Sequence, residues 1–268
     1  MLHFDKYQGT GNDFIIIDDR QPSGLDRGTT AQIANLCDRR FGIGADGLML
    51  LRNHTDYDFE MIYFNADGHE STMCGNGGRC IAAFAQKKGV FSGSHCTFLA
   101  IDGPHEADIL ADGTVSLKMT DVTNVEFDKK HNAVLNTGSP HYVRPVNDIS
   151  EIDIVQEGRR VRNSAKFRAE GINVNFYDTT KDGINVATYE RGVEDETYSC
   201  GTGAVASAIA CHQVVGKTND IIVRTKGGLL RVTFDTNTHN DLYYNIRLIG
   251  EATFVFSGSL TAALGTGK

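Results

Sequence analysis

No run of lysine or arginine in this 268-residue sequence makes a stripe that could follow a phosphate backbone, and the formal net charge is −8. No nucleic-acid partner is therefore expected. Long apolar runs are missing too. The runs present, such as residues 15–17 and 48–51, are far too short to cross a bilayer, and MLHFDKYQGTGNDF lacks a charged-then-apolar signal pattern. A soluble, cytoplasmic protein with no membrane partner is the expectation. There is no Pro-rich or Ser-rich linker, and no His, Cys and acidic cluster at zinc spacing, so no metal is expected. CxxC is absent as well: cysteines 37, 74, 80, 96, 200 and 211 form no close pair and no even framework. A chain of this size needs no disulfide staples, so all six should be free thiols. For Cys37, Cys80, Cys96 and Cys211 the reading is a small buried hydrophobe.

What is present is a series of short apolar stretches bounded by Gly, Asn and Asp: FIIID, LMLL, FEMIYF, CTFLAI, VSLKM, INVNFY, INVATY, IIVRT, LLRVTF and LYYNIRLI. These read as strands. Three segments read as helices: TTAQIANLCDRR from Thr29, GGRCIAAFAQKKG after Cys74, and GAVASAIACHQVV after Cys200. Many strands with few helices predict an α+β fold. The length suits two domains, with a boundary near Asp121, after VSLKM.

The two halves echo each other. MCGNGGRCIAAFAQKKG and SCGTGAVASAIACHQVVG both set Cys-Gly-x-Gly before an Ala-rich helix, and Cys200 follows Cys74 by 200 − 74 = 126 residues. In the second helix Val205, Ala208, Ile209 and His212 fall at i, i+3, i+4 and i+7, which predicts one buried face. A thiol at a helix N-terminus meets unpaired N–H groups and the positive end of the macrodipole, and ionises readily. The neighbouring glycines let an anion approach those N–H groups. Inversion of an α-carbon takes a proton from one face and delivers another to the opposite face. Two matched thiols, one ionised and one protonated, fit that demand, and their titrations would be coupled.

Five stretches, in order, then resemble the diaminopimelate epimerase family: GTGNDFIIID from Gly9, FGIGADG from Phe41, FNADGHESTMCGNGGRC from Phe64, TGSPHYV from Thr137 and YERGVEDETYSCGTGA from Tyr189. The resemblance covers nearly the whole chain. It implies interconversion of LL- and meso-diaminopimelate, a supply of lysine and cell-wall precursors, and no pyridoxal or other cofactor. It implies two pseudo-symmetric domains, each a curved, mostly antiparallel sheet around a central helix, with the active site in the cleft between them; the need to exclude water from a carbanion leads to the expectation that the cleft closes on substrate. The spans are 1–121 plus 252–268, with ATFVFSG returning to the first domain, and 122–251. A homodimer is implied as well.

By the same resemblance Cys74 and Cys200 are the catalytic thiols, and Gly75, Asn76, Gly201 and Thr202 cradle the reacting carboxylate. Asn12, Asn65 and Asn173 hold polar groups of the substrate, Arg191 grips the distal carboxylate, Glu190 meets an amino group, and His141 assists a thiol. Independently of the family, Arg191 beside Glu190 suits a zwitterionic end, because guanidinium binds carboxylate in a fork. Asn12 and Asn65 have the surroundings of turn residues. Gly47 and Ser139 depart from what some family members carry, and no substrate contact is assigned to either.

GIGADG matches a dinucleotide fingerprint, but it follows a helix and leads into a strand, the wrong order. VVGKT at Val214 ends a helix instead of opening one and is no phosphate loop. Two rival readings stand: a two-thiol racemase of proline or hydroxyproline, and a thiol redox protein that uses Cys74 and Cys200 as a reversible disulfide. MCGNGG and the Glu190–Arg191 pair weigh against the first, and the missing CxxC against the second.

Overall fold

The structure is a computed structural model that describes residues 1–216, 218–237 and 242–260. Lys217 of the VVGKT stretch and residues 261–268 of the expected 252–268 segment lie outside the described residues. The chain divides into two compact units, Met1–Leu117 with the segment that starts at Glu251, and Lys118–Gly250.

The first unit contains β1 (Leu2–Gly9), β2 (Asn12–Asp18), α1 (Thr30–Cys37), β3 (Gly47–Arg52), β4 (Phe59–Asn65), α2 (Gly75–Lys87), β5 (His95–Ala100), β6 (Gly103–Ile109) and β7 (Val115–Lys118). The second contains β8 (Glu126–Phe127), β9 (Ala133–Asn136), β10 (Pro140–Pro145), α3 (Ile154–Arg162), β11 (Asn173–Thr179), β12 (Gly183–Glu190), β13 (Asp195–Thr197), α4 (Gly201–Val215), β14 (Asp220–Thr225), β15 (Gly228–Asn237) and β16 (Leu242–Gly250). The last strand, β17 (Thr253–Leu260), pairs antiparallel with β1.

Each unit has the same strand plan. In the first the order is β17, β1, β2, β3, β4, β5, β6, β7, and only β2–β3 and β4–β5 are parallel. In the second it is β8, β9, β10, β11, β12, β14, β15, β16, and the third and fifth neighbours, β10–β11 and β12–β14, are again the parallel ones. Parallel neighbours need a crossover, which is where the helices lie. The first crossovers carry α1 and α3, and the second carry α2 and α4. In each unit the cysteine-led helix therefore lies in the second crossover, which leaves the fifth strand of the order, and it packs against its own sheet: α2 on β1, β2, β3 and β6, and α4 on β9, β10, β11, β12, β14, β15 and β16.

Strand periodicity decides which residues face which helix. Ile15, Ile17, Leu48, Leu50, Ile62 and Phe64 join Ile33 and Leu36 of α1 in one core. Phe14 and Met49, one residue out of phase, lie on the α2 side near Gly77. In the second unit Val174, Phe176 and Tyr189 pack with Ile154 of α3. Asn173 and Asn175, out of phase with them, fall on the face toward α4.

Three helical expectations are corrected. Helix α1 stops at Cys37 and does not continue to Arg40, because the Asp38 carboxylate accepts from the Arg40 and Phe41 N–H groups, both at 2.7 Å, and turns the chain. Helix α3 was not expected: IVQEGRRVR is mostly polar, and only Ile154 and Gly158 are buried. Its one clear sequence signal is Asp153, whose side chain accepts from Gln156 N–H at 2.9 Å as an N-cap. Helix α4 buries every side from Gly203 to Cys211 instead of one face, because its sheet curls around it.

A side-chain carbon at Gly158 would lie 2.4 Å from Tyr189 Cβ. Gly158→Ala should therefore cost about 2 kcal/mol through overpacking despite its better helix propensity. Urea unfolding measures it, and an unchanged or raised midpoint would contradict this packing.

Candidate active site: two cysteine-capped helix ends

Both Cys74 and Cys200 are the N-cap residues of their helices, in extended backbone conformation. The first turns beyond them are largely buried: Gly75, Asn76, Gly77 and Gly78 in α2, Gly201 and Gly203 in α4. All six cysteines are free, and Cys37, Cys80, Cys96 and Cys211 are buried. Burial pushes the Cys37, Cys80 and Cys96 thiols up to about 12, so they stay protonated at neutral pH.

In the first unit the Cys74 sulfur accepts from Gly77 N–H at 3.2 Å, a capping bond made by sulfur. Its thiol also donates to Asn12 Oδ1 at 3.7 Å. The Asn12 amide is oriented by Asp46, whose Oδ2 accepts from Asn12 Nδ2 at 2.6 Å. Asp46 in turn accepts from Arg39 at 2.7 Å, and the same guanidinium grips Asp13 through both carboxylate oxygens at 2.6 and 3.0 Å. Lys6, 2.8 Å from Asp13, completes the group and donates to the Gly44 carbonyl. Burial pushes the Asp13 carboxyl up, but hydrogen bonds and charge from Arg39 and Lys6 outweigh it and hold the group far below the usual range.

Asn76 is buried, and its side-chain oxygen accepts from Arg79 at 3.0 Å and from Thr10 at 3.3 Å. Arg79 is fully buried and also donates to the carbonyls of Gly75 and Glu251. Burial lowers its pKa, with nearby thiols opposing the shift. Asn65 sits at the same end of the sheet, paired with Gly47, and is exposed, its backbone closing a turn with Gly68 and His69. Gly47 has no room for a side chain, since its Cβ would meet Tyr63 Cε2 at 2.5 Å.

In the second unit Cys200 is only 8% exposed, and its sulfur lies 3.5 Å from Thr202 Oγ1. Thr202 Oγ1 is 2.9 Å from His141 Nε2, and its carbonyl accepts from the Thr137 hydroxyl at 2.9 Å. His141 is fully buried and neutral: burial, then the charge of Arg191, push it down to about 3. Asn173 is spent on the protein, donating to Ser139 Oγ at 2.9 Å and to the Pro140 carbonyl at 3.2 Å, and accepting from Arg191 N–H at 2.9 Å. It ties together the Pro140 and Arg191 backbones. Glu190 accepts from Thr197 at 2.9 Å, and the exposed Arg191 donates to the Glu170 carbonyl at 3.2 Å.

A family model described as diaminopimelate epimerase matches residues 4–125 and 133–255. The diaminopimelate epimerase of Flavobacterium psychrophilum is 49% identical over 258 residues, which span 95% of this chain and 98% of that protein. That of Chlorobaculum tepidum is 41% identical over 262 residues, 94% and 99% of the two chains. The chain belongs to the diaminopimelate epimerase family. A Bacillus anthracis phenazine biosynthesis protein shares the fold at 14% identity, with a TM-score of 0.76 over 97% of this chain and 99% of that one.

In this member of the diaminopimelate epimerase family, several residues at the site had no forecast from the sequence: Asp46, Arg39, Arg79, Thr137, Asn175 and Thr188. Asp46 lies inside GIGADG, where attention to glycines hides it. Asn175 had a usable signal, because Asn173 and Asn175 alternate with Val174 and Phe176 and so share one strand face.

Because His141 is neutral when folded and would take up protons near 6.5 when unfolded, the unfolded state binds more protons as pH falls from about 6.5 toward 3. Stability is thus lost on acidification through that window. Between pH 7 and pH 5 the His141 share is about 2 kcal/mol. Denaturant unfolding of the parent and of His141→Gln at both pH values should show the loss reduced by that amount in the variant; equal losses would mean that His141 is not held neutral.

Proposed function

We propose that the chain interconverts LL- and meso-diaminopimelate by proton transfer at the α-carbon, serving lysine and peptidoglycan precursor synthesis, with Cys74 and Cys200 as the two acid/base groups. The observation that carries this reading is the pair of cysteines at the N-cap positions of helices with buried first turns, in two units of like plan. Each thiol has a hydrogen-bonded setting of its own, whereas burial pushes the Cys37, Cys80 and Cys96 thiols up. The family supplies the substrate. A cytoplasmic homodimer belongs to the same reading, on the strength of resemblance alone.

The α-proton is far less acidic than a thiol, so the site must stabilise negative charge as it develops on the substrate. In our reading the N–H groups at Gly75, Asn76, Gly201 and Thr202 bind the carboxylate beside the reacting carbon, where they act on that charge without reorganising. One cysteine removes the α-proton as thiolate while the other delivers a proton as thiol, and the reverse reaction exchanges the roles. Glu190 and Arg191 take the distal ammonium and carboxylate. Asn12 holds Cys74, and Asn173 fixes the Arg191 backbone, so both act by placing other groups.

Incubation of LL-diaminopimelate in deuterated water, with reductant and no added cofactor, should give meso product carrying deuterium at the inverted carbon. Cys74→Ala and Cys200→Ala should each lose about 10²- to 10⁴-fold in turnover. Full exchange in either variant, or exchange with proline in place of diaminopimelate, would replace this reading. Arg191→Gln removes a charged fork worth about 2–3 kcal/mol, so KM should rise by about 100-fold with a smaller change in kcat. Steady-state kinetics checks it, and an unchanged KM would remove Arg191 from the substrate.

A further inference from the structure

Asn175 lies on β11 directly opposite Thr188 of β12, and both are buried. Its amide is fully engaged. Nδ2 faces His141 Nδ1 at 2.9 Å and donates to the Tyr142 carbonyl at 3.2 Å, while Oδ1 accepts from the Thr188 hydroxyl at 2.9 Å. The amide cannot be turned round, because its oxygen would then face the Tyr142 carbonyl. His141 Nδ1 therefore meets a donor and must accept. A neutral imidazole that accepts at Nδ1 carries its proton on Nε2, and Nε2 is the nitrogen 2.9 Å from Thr202 Oγ1. The Thr202 oxygen is then occupied as an acceptor, and its own proton is free for the Cys200 sulfur 3.5 Å away.

We infer that Asn175 is a positioning residue for Cys200: it holds His141 neutral with the proton on Nε2, and so aims the Thr202 hydroxyl proton at the sulfur. The inference rests on the reading of Cys200 as an acid/base group. The chain of donors runs in one direction, from the Asn175 amide through the imidazole and the threonine hydroxyl, and ends on the group that must carry negative charge. His141 acts in it as a hydrogen-bond donor and exchanges no proton with substrate. Gly203 shows how tightly this is built, because a Cβ there would lie 2.4 Å from Asn175 Oδ1 and 3.2 Å from Thr188 Oγ1. The glycine of CGTG lets the first turn of α4 close on the Asn175–Thr188 pair.

Two measurements test the chain of donors apart from turnover. Nitrogen NMR of the histidines in the full chain should show His141 at neutral pH with a bare Nδ1 and a protonated Nε2. In Asn175→Asp an acceptor replaces the donor, so Nδ1 should gain a proton. The thiolate absorbance of Cys200, followed against pH in a Cys74→Ser background and corrected with Cys74→Ser/Cys200→Ser, should shift up by about one unit in Thr202→Val, which loses one donor to the anion. Thr202→Ser should keep the parent midpoint. In kinetics Thr202→Val should lower kcat by about 10-fold at neutral pH, recovering at higher pH, with KM little changed. A proton on Nδ1 in the parent, a bare Nδ1 in Asn175→Asp, or an unshifted Cys200 midpoint in Thr202→Val would overturn the inference. A parent chain that shows the expected NMR and absorbance but leaves diaminopimelate unchanged would instead sink the functional reading and leave the positioning of Cys200 standing.

Discussion

A helix that begins inside a protein has N–H groups with no partner in the helix itself, and a buried polar group without a partner is costly. Helices α2 and α4 both begin this way, with most of their first-turn residues buried. The cost is met by placing a group there that accepts those hydrogens, and here that group is sulfur or, in our reading, a substrate carboxylate. Everything else at the site follows from this constraint: the glycines that keep the turns open, the curled sheet that hides each helix, and the side chains that orient each thiol.

The two helix ends solve the constraint differently. Cys74 uses its sulfur as the cap, accepting from Gly77, and is held from the side by Asn12. The Asn12 amide depends on a charged set, Asp46, Arg39, Asp13 and Lys6, in which opposite charges compensate one another. Cys200 makes no side-chain cap and is met by the Thr202 hydroxyl, which bonds His141; behind His141 lie Asn175 and then Thr188, and the charge of Arg191 acts on the imidazole. One thiol is thus set beside an acceptor fixed by a charged frame, the other beside a hydroxyl bonded to a buried histidine. Equivalent positions in two units of one strand plan thus have different surroundings, which in our reading suits a pair of which one is thiolate and the other thiol.

Much of this was legible in the sequence because the signals were local. FIIID, LMLL, INVNFY and INVATY are strands since their apolar residues are continuous or alternate over a strand length, and the cysteine-led segments are helices since Gly-x-Gly followed by an Ala-rich run leaves little else. Helix α3 was missed because its stability comes from docking Ile154 and Gly158 against Tyr189, contacts that its polar composition does not announce. The extent of burial around α4 was missed for a similar reason, since a helix wrapped by a sheet needs no polar face.

The sequence by itself determined the strand-rich α+β class, the two cysteine boxes and the likeness that points to an epimerase. Those features depend on neighbours within a few residues or on motifs that survive as strings of letters. Only the tertiary structure decided that Asn173 bonds Ser139, Pro140 and Arg191, that Gly203 admits Asn175, and that His141 is buried between Asn175 and Thr202. These are properties of atoms brought together from strands and helices tens of residues apart. Whether a side chain is a donor, an acceptor or a charge depends on which atom faces it, and only the packed fold sets that.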